Sequence, residues 1–341
     1  MPAPKNFFNQ HSRRNFLRQS SFASLGLFMA GRSFAANAMN LFQHKPDSLI
    51  HGVQIGAITY SFRSLPGNPD QVLQYCIDSN ISAIELMGDA VEDYAGKPVN
   101  TVKLPPRVNG QRVELTAEQK AQVKEYQQQV AAWREHISMD KFIELRKKYN
   151  DAGVTIYAFK PNALGIDNTD GEIAYALNAA KALGATSVTV ELPTDAAQTK
   201  RLGDLGEKHK IFIGYHAHLQ ATDTAWDITL AQSKYNSMNL DCGHYIAAGE
   251  NNTKETLLAL IESKHDRITS MHIKDRKNKT NGGKNMPWGE GDTPLKEILT
   301  LLRDKKYKIP ATIELEYDIP PGSDAVKETG KCLDYARVIL S

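Results

Sequence analysis

Short apolar runs alternate with segments of helical pattern from about residue 50 to the C-terminus. Apolar runs of this length, bounded by turn residues, predict buried strands. Eight strands are predicted, at residues 52–60, 81–86, 154–159, 187–190, 211–215, 238–241, 268–273 and 311–316. Strands that are separated by helices pair in parallel through right-handed crossovers. The pattern therefore predicts the α/β fold class.

Eight βα units in about 290 residues favour a closed (β/α)8 TIM barrel over an open sheet. An open sheet would need a glycine-rich nucleotide turn after its first strand, whereas Gly52 and Gly56 lie inside that strand. We assign residues 51–341 to the barrel. Residues 88–136 form a long polar segment after the second strand, and no second set of strands follows it. We interpret this segment as an insertion into the barrel.

The N-terminus has the pattern of an export signal. A twin-arginine sequence at Ser12–Leu17 is followed by a weakly apolar run at 22–30 and by the small-residue site Ala36–Ala38. This order predicts a twin-arginine signal peptide over residues 1–38, an N-terminal extension over 39–50, and a periplasmic or otherwise exported protein. The apolar run is too short to serve as a stable membrane anchor.

Composition narrows the range of functions. The formal net charge is +2, so bulk electrostatics gives no reason to expect nucleic-acid binding. The three cysteines are widely spaced and form no Cys-x-x-Cys, which argues against a disulfide framework and a zinc knuckle. The length fits one large domain. The sequence leaves open whether two barrels pair as a homo-oligomer.

Polar or ionisable residues end nearly every predicted strand, although the strands are apolar along their length. They are Tyr60, Glu85, Lys160, Glu191, His216, His218, Asp241, His244, His272, Lys274, Glu314 and Glu316. Because the active site of a TIM barrel lies at the C-terminal ends of its strands, these residues predict one site. Carboxylates and imidazoles without thiolates suit manganese, magnesium, cobalt or zinc. Such a cation acidifies a carbon-bound hydrogen of a sugar, which a nearby carboxylate or histidine removes.

Four features resemble the xylose-isomerase-like TIM barrels, the group that includes tagatose 3-epimerase, inosose dehydratase and endonuclease IV. They are Asp241-x-x-His244, His272, the Trp-Gly-Glu-Gly sequence at 288–291 and the Glu-Leu-Glu sequence at 314–316. The resemblance covers about residues 50–341. It implies one divalent cation, usually manganese, held by two Glu, one Asp and one His. The chain departs from the epimerases at strand five, where His216-Ala217-His218 stands in place of a metal-binding glutamate and looks more like the inosose dehydratase branch.

The candidate site residues fall into three groups. The predicted metal ligands are Glu191, His216, Asp241, His272 and Glu314; the predicted catalytic residues are His218, His244, Lys160, Glu316 and Lys274; and the predicted substrate-binding residues are Glu85, Trp288 and Glu290. Glu191 and His216 are alternatives for the missing ligand, and Glu314 and Glu316 are interchangeable because alternate strand residues share a face. Trp288 has the flat apolar surface that stacks on a sugar ring.

The sequence therefore predicts an exported, divalent-metal-dependent enzyme that isomerises or epimerises a small-molecule sugar or keto-sugar. The first alternative is a metal-dependent dehydratase, lyase or hydratase of keto-sugars or 3-keto-glycosides. An endonuclease IV-like phosphodiesterase would need more metal ions and a basic face, which the small net charge disfavours. A non-catalytic sugar-binding barrel is the remaining alternative.

Overall fold

The computed structural model describes residues 45–106 and 113–341, so the predicted signal peptide lies outside the described residues. Eight parallel strands close into a barrel, because the first barrel strand pairs with both the second and the last. The barrel strands are β2 (Val53–Ile58), β3 (Ala83–Met87), β4 (Thr155–Lys160), β5 (Ser187–Glu191), β6 (Phe212–His216), β7 (Asn236–Asp241), β8 (Ile268–Ile273) and β11 (Ala311–Ile313). A short strand β1 (Leu49–Ile50) pairs antiparallel with β2 outside the ring. The predicted TIM barrel is confirmed.

Helices cover the outside of the barrel. Helices also form much of the long segment between β3 and β4. They are α1 (Pro69–Asp78), α2 (Gly88–Tyr94), α3 (Ala117–His136), α4 (Asp140–Asp151), α5 (Asp170–Leu183), α6 (Ala196–His209), α7 (Asp227–Gln232), α8 (Cys242–Ala248), α9 (Lys254–Lys264), α10 (Leu295–Asp304) and α11 (Ala325–Leu340). The sequence pattern did not predict α2, α7 and α8, because helices of one or two turns are too short for a periodic signal. No helix in the described ranges combines the length and the apolar character that a membrane span requires.

The first barrel strand is shorter than predicted. It ends at Ile58, and Tyr60 lies in a 3-10 turn at Thr59–Phe62. Tyr60 is exposed there, and the Arg63 guanidinium lies over its ring. The turn is held to the neighbouring strand β11, because the Ser61 hydroxyl donates to the carbonyl of Ile313 at 3.0 Å.

Local sequence signals explain where the long helices begin and end. Helix α5 starts with a capping box in which Thr169 accepts from the backbone of Glu172 and the Glu172 carboxylate accepts from the backbone of Thr169. It stops at Gly184, whose φ of 84° is left-handed and suits glycine. Helix α1 has an equivalent box and Pro69 at its first position.

A buried ion-pair network fastens the inserted helix α3 to the barrel. The Arg134 guanidinium donates to Glu92 at 2.9 Å and to Glu172 at 3.0 Å, and all three side chains are buried. The Tyr175 hydroxyl also donates to Glu92. This network joins α2, α3 and α5, so the inserted helix packs on the barrel rather than hanging from it as a linker.

The parallel register brings the ends of neighbouring strands to one level. His216 is paired with Asn239, Asp241 with His272, and His272 with Thr312. After β8 the chain forms a small hairpin of β9 (Asp275–Arg276) and β10 (Asn285–Met286). The C-terminal mouth of the barrel therefore collects side chains from β6, β7, β8 and the residues after β11.

Candidate metal centre

Four donor side chains meet at the C-terminal ends of β6, β7, β8 and β11. Asp241 Oδ2 lies 4.0 Å from His216 Nε2 and 3.9 Å from His272 Nδ1. Glu314 Oε2 lies 3.1 Å from His272 Nδ1. All four side chains are buried. Donors bound to one cation at about 2.0–2.2 Å lie roughly 3–4 Å from one another, so the separations among His216, Asp241 and His272 suit a single ion, and Glu314 adjoins these three residues at His272.

Asn239 fixes the protonation of His216. The Asn239 amide nitrogen donates to the carboxylate of Glu85 at 3.2 Å and to Ser270 Oγ at 2.7 Å. Its oxygen is therefore turned to His216 Nδ1, 2.9 Å away, and accepts the proton from that nitrogen. Burial first, and then the charge on His272, lower the pKa of His216. The ring is thus neutral, with the lone pair of Nε2 directed to Asp241, as a metal ligand requires.

Glu85 orients His272 by a hydrogen bond, as Asn239 orients His216. His272 Nε2 donates to Glu85 Oε2 at 2.8 Å, and Thr189 Oγ1 donates to Glu85 Oε1 at 2.5 Å. Glu85 is fully buried below the four donors. Burial favours a neutral imidazole, but Glu314 and Glu85 outweigh burial and raise the pKa of His272 to about 10. A carboxylate behind a histidine is the usual support of a metal-binding imidazole.

Asp241 has one oxygen committed to the backbone and one aimed into the cluster. Its Oδ1 caps helix α8 by accepting from the backbone N–H of His244 at 2.6 Å. Its Oδ2 is buried and makes no hydrogen bond within the described residues. Lys274 Nζ is 3.0 Å from Oδ2, but the angle lies outside hydrogen-bond geometry, so the contact is an ion pair only. A buried carboxylate oxygen in this state fits a cation.

Lys274 balances the carboxylates. Its ammonium lies 2.6 Å from Glu314 Oε2 and 2.7 Å from Glu316 Oε2, in addition to the contact with Asp241. Burial acts against the charge of Lys274, but these carboxylates outweigh it and raise the pKa of the ammonium. Lys274 is therefore a permanent cation and hydrogen-bond donor. Glu316 contacts this lysine, and its contacts within the described residues do not include His272.

Glu191 lies beside the four donors and pairs with other residues. Its Oε1 accepts from Lys160 Nζ at 2.9 Å, and its Oε2 is 3.3 Å from His218 Nδ1. Burial raises the pKa of Glu191, but the neighbouring His216 and Lys160 outweigh burial, so the net shift is downward. The structure thus places His216 in the four-donor group. Glu191 instead belongs to a separate group of contacting side chains with Lys160 and His218.

Trp288 and Glu290 lie in the loop after β10. Trp288 is buried and packs edge-on against Tyr335, with ring centroids 6.1 Å apart. Glu290 is exposed, and its backbone carbonyl accepts from Lys277. Contacts of the described residues do not join either side chain to the four donors. The predictions that these two side chains bind substrate remain predictions.

Asp275 organises this loop. Its carboxylate accepts from the backbone N–H groups of Gly289 and Gly291 at 2.8 Å and of Thr293 at 3.2 Å. A Cβ on Gly291 would lie 2.0 Å from Asp275 Oδ1, so the loop needs glycine there. The glycines of the loop therefore serve its packing on Asp275.

Three residues that support the site were not predicted from the sequence. They are Thr189, Asn239 and Arg276. A polar residue inside an apolar run was the available signal for Asn239, which stands between Met238 and Leu240. The signal was weak because the pattern does not show which neighbouring side chains each residue contacts.

Comparison with known proteins identifies the family. Residues 113–335 match the model of the xylose isomerase-like TIM barrel family. The chain belongs to this family. The match confirms the resemblance inferred from the strand-end motifs.

Solved structures share the fold at low sequence identity. A sugar phosphate isomerase/epimerase from Parabacteroides distasonis is 17% identical over 85% of this chain and 96% of its own, with a TM-score of 0.52. A probable 3-DHS dehydratase from Bacillus anthracis is 14% identical over 83% and 99%, with a TM-score of 0.56. The 3-keto-D-glucoside 4-epimerase of E. coli is 12% identical over 84% and 99%, with a TM-score of 0.55. No curated protein sequence matches the chain significantly.

Proposed function

We propose that this protein is an exported, divalent-metal-dependent enzyme that isomerises or epimerises a sugar or keto-sugar by moving a proton next to a carbonyl. The observation that carries the proposal is the group of four buried donors, His216, Asp241, His272 and Glu314, at the barrel mouth. Membership of the xylose isomerase-like family supports it.

These four residues would hold the cation. Two imidazole nitrogens and two carboxylate oxygens suit manganese, cobalt or zinc, and magnesium less well. When bound, such a cation polarises the carbonyl and hydroxyl oxygens of a sugar and so acidifies the hydrogen on the carbon between them. The nearby His216–Asn239 and His272–Glu85 hydrogen bonds hold both imidazoles in the required orientation.

His218 is the best-placed proton acceptor. Its Nδ1 faces the carboxylate of Glu191, which leaves Nε2 for the substrate. Half of the His218 side chain is exposed, as a residue at the entrance of a site should be. Lys160 holds the Glu191 carboxylate from the other side. A histidine that is oriented through one ring nitrogen and has the other free suits general-base catalysis.

Lys274 and Glu316 provide a second pair of functional groups on the β11 side of the site. The Lys274 ammonium can stabilise negative charge that develops on a substrate oxygen. The carboxylate of Glu316, less buried than that of Glu314, is the second candidate for proton transfer. His218 and Glu316 follow strands on either side of β7 and β8, as two bases acting on two faces of a carbon require.

Elimination is the second candidate reaction. The observation that favours it is His216 in the four-donor group where the sugar epimerases use a glutamate that also acts as a base. With one base, His218, proton removal from the carbon next to the carbonyl would be followed by loss of a β-hydroxyl or alkoxide. The substrate would be a keto-sugar or a 3-keto-glycoside, and the reverse reaction would be a hydration. A dehydratase and a 3-keto-glucoside epimerase are among the named proteins with this fold.

The predicted export signal bears on the substrate. Sugar phosphates are scarce outside the cytoplasm, so we expect a non-phosphorylated sugar or a glycoside fragment. A twin-arginine signal also suits a metalloenzyme, because that route exports proteins that have already folded around their cofactor.

Metal analysis and isotope exchange test the proposal. The mature protein should retain about one divalent ion per chain by elemental analysis, and Asp241→Asn should lose it, whereas the surface change Asp204→Asn should not. In heavy water, deuterium incorporation into a ketose without loss of water or alcohol indicates isomerisation or epimerisation. Release of water or alcohol indicates elimination. A metal-free protein whose stability is insensitive to chelators would overturn both reactions and leave the non-catalytic sugar-binding barrel.

A further inference from the structure

Arg276 determines which nitrogen of His244 carries the proton. The Arg276 Nη1 group lies 2.6 Å from His244 Nδ1. A guanidinium is always protonated and offers only donors, so Nδ1 must accept this hydrogen bond. An imidazolium would carry a proton on Nδ1 as well and would set two donors against each other, so this contact requires a neutral ring. The single ring proton therefore resides on Nε2.

The guanidinium is itself fixed in position. Its Nε and Nη2 groups both donate to the backbone carbonyl of Gly283, at 3.0 and 2.5 Å. The backbone N–H of Arg276 donates to Thr293 Oγ1 at 3.1 Å. Gly283 has a φ of 63°, in the left-handed region, and belongs to the turn of the β9–β10 hairpin. The hairpin thus holds Arg276 so that its Nη1 group is directed at His244.

The protonated nitrogen of His244 faces the site without a protein partner. The His244 side chain is 8% exposed, and its Nε2 is buried with no hydrogen bond in the described part of the chain. The ring lies beside His218, at a centroid distance of 4.6 Å, and 6.1 Å from His216. An unpaired buried N–H is costly, so the site is built to receive an acceptor here.

We infer that His244 is a neutral Nε2–H donor to an oxygen of the bound substrate, and that Arg276 is the positioning residue that enforces this tautomer. The inference rests on the proposed function. It also assigns the three neighbouring imidazoles different roles: His216 offers a lone pair to the cation, His218 accepts a proton, and His244 donates a hydrogen bond. The imidazoles of His216, His218 and His244 lie close enough to suggest a second metal site, but the proton on His244 Nε2 excludes it from binding an ion.

Nitrogen-15 NMR of histidine-labelled protein tests the tautomer directly. Two-bond proton–nitrogen spectra distinguish the Nε2–H ring, the Nδ1–H ring and the imidazolium, and His244→Gln identifies the signal. We expect the Nε2–H form in the wild type at about pH 7, because Nδ1 accepts from Arg276. Arg276→Lys retains a donor and should preserve this form, whereas Arg276→Met should give mixed tautomers. An Nδ1–H ring or an imidazolium in the wild type, or an unchanged spectrum in Arg276→Met, would overturn the inference.

Cobalt titration separates this inference from the proposed function. Calorimetry with Co²⁺ alone should give one equivalent bound per chain in the wild type, in Arg276→Met and in His244→Gln, and none in Asp241→Asn. A second equivalent that disappears in His244→Gln would make His244 a ligand and refute the donor role. If no cobalt binds at all, the proposed function fails while the tautomer result stands. With a ketose that exchanges deuterium, Arg276→Met should lower kcat about tenfold or more with little change in KM, and Arg276→Lys should restore part of it.

Discussion

Glu85 and His272 lie 187 residues apart in the sequence, yet His272 Nε2 donates to Glu85 Oε2 at 2.8 Å in the interior of the barrel. This contact joins β3 to β8 across the barrel. It leaves His272 Nδ1 directed at Asp241 and Glu314. Glu85 therefore supports the candidate metal centre from below.

Replacing Glu85 should weaken the centre without removing a donor from it. Glu85→Gln keeps the shape of the side chain but loses the charge that orients and polarises His272. Loss of such a supporting partner typically weakens metal binding about 10–100-fold, so we expect a change of that size in the dissociation constant for Mn²⁺ measured by calorimetry. The matched control is Glu297→Gln on the surface, which should bind Mn²⁺ like the wild type. An unchanged affinity in Glu85→Gln would show that His272 does not belong to the metal centre.

The stability of the metal-free protein should fall as the solution becomes alkaline. The pKa of His272 is raised to about 10 by Glu314 and Glu85, above its value in the unfolded chain of about 6.5. The stabilisation from the charged ring is thus complete below about pH 6.5 and is lost as the pH rises toward about 10. Urea denaturation in EDTA should show that the free energy of unfolding falls as the pH rises through this range. The variant His272→Gln should not show this fall. A flat profile in the wild type would contradict the buried imidazolium.

Lys274 should contribute most to the stability of the protein when no metal is bound. Its ammonium contacts Asp241, Glu314 and Glu316, so Lys274→Met leaves buried carboxylates without a cation. Breaking a buried pair in this way costs about 3–5 kcal/mol, and Mn²⁺ should recover much of it. The control Lys254→Met breaks an exposed pair with Glu297 and should cost no more than about 1 kcal/mol. Denaturation with and without Mn²⁺ measures the free energy of unfolding of both variants. Equal losses of stability in Lys274→Met and Lys254→Met would argue against the buried network.

Two glycines provide a matched test of the loop on Asp275. Gly291→Ala forces a Cβ against the Asp275 carboxylate and should destabilise the protein by about 1–3 kcal/mol through strain. Gly330→Ala lies in helix α11 with open space around it and should stabilise by about 0.5–1 kcal/mol. Thermal denaturation of both variants measures whether each change stabilises or destabilises the protein. If both changes have the same sign, the Asp275 contacts do not hold the loop.

The sequence by itself determined the barrel. Eight apolar runs of strand length, separated by capped helices, leave few other folds open, and the observed strands β4 to β8 agree with the predicted ones to within about two residues. The position of polar residues at strand ends also predicted where the site lies, because all parallel strands end at one face. Asp241 and His272 could be selected on this basis.

Only the tertiary structure decided which of these side chains meet. The sequence left Glu191 and His216 as alternatives, and the fold brings His216 to Asp241 while Glu191 pairs with Lys160. The physical reason is that a period of two gives the face of a strand but not the contacts between neighbouring strands. For the same reason, the sequence did not show the roles of Asn239 and Arg276. The proton of a histidine is fixed by the partner of its other nitrogen, and that partner comes from a distant segment of the chain.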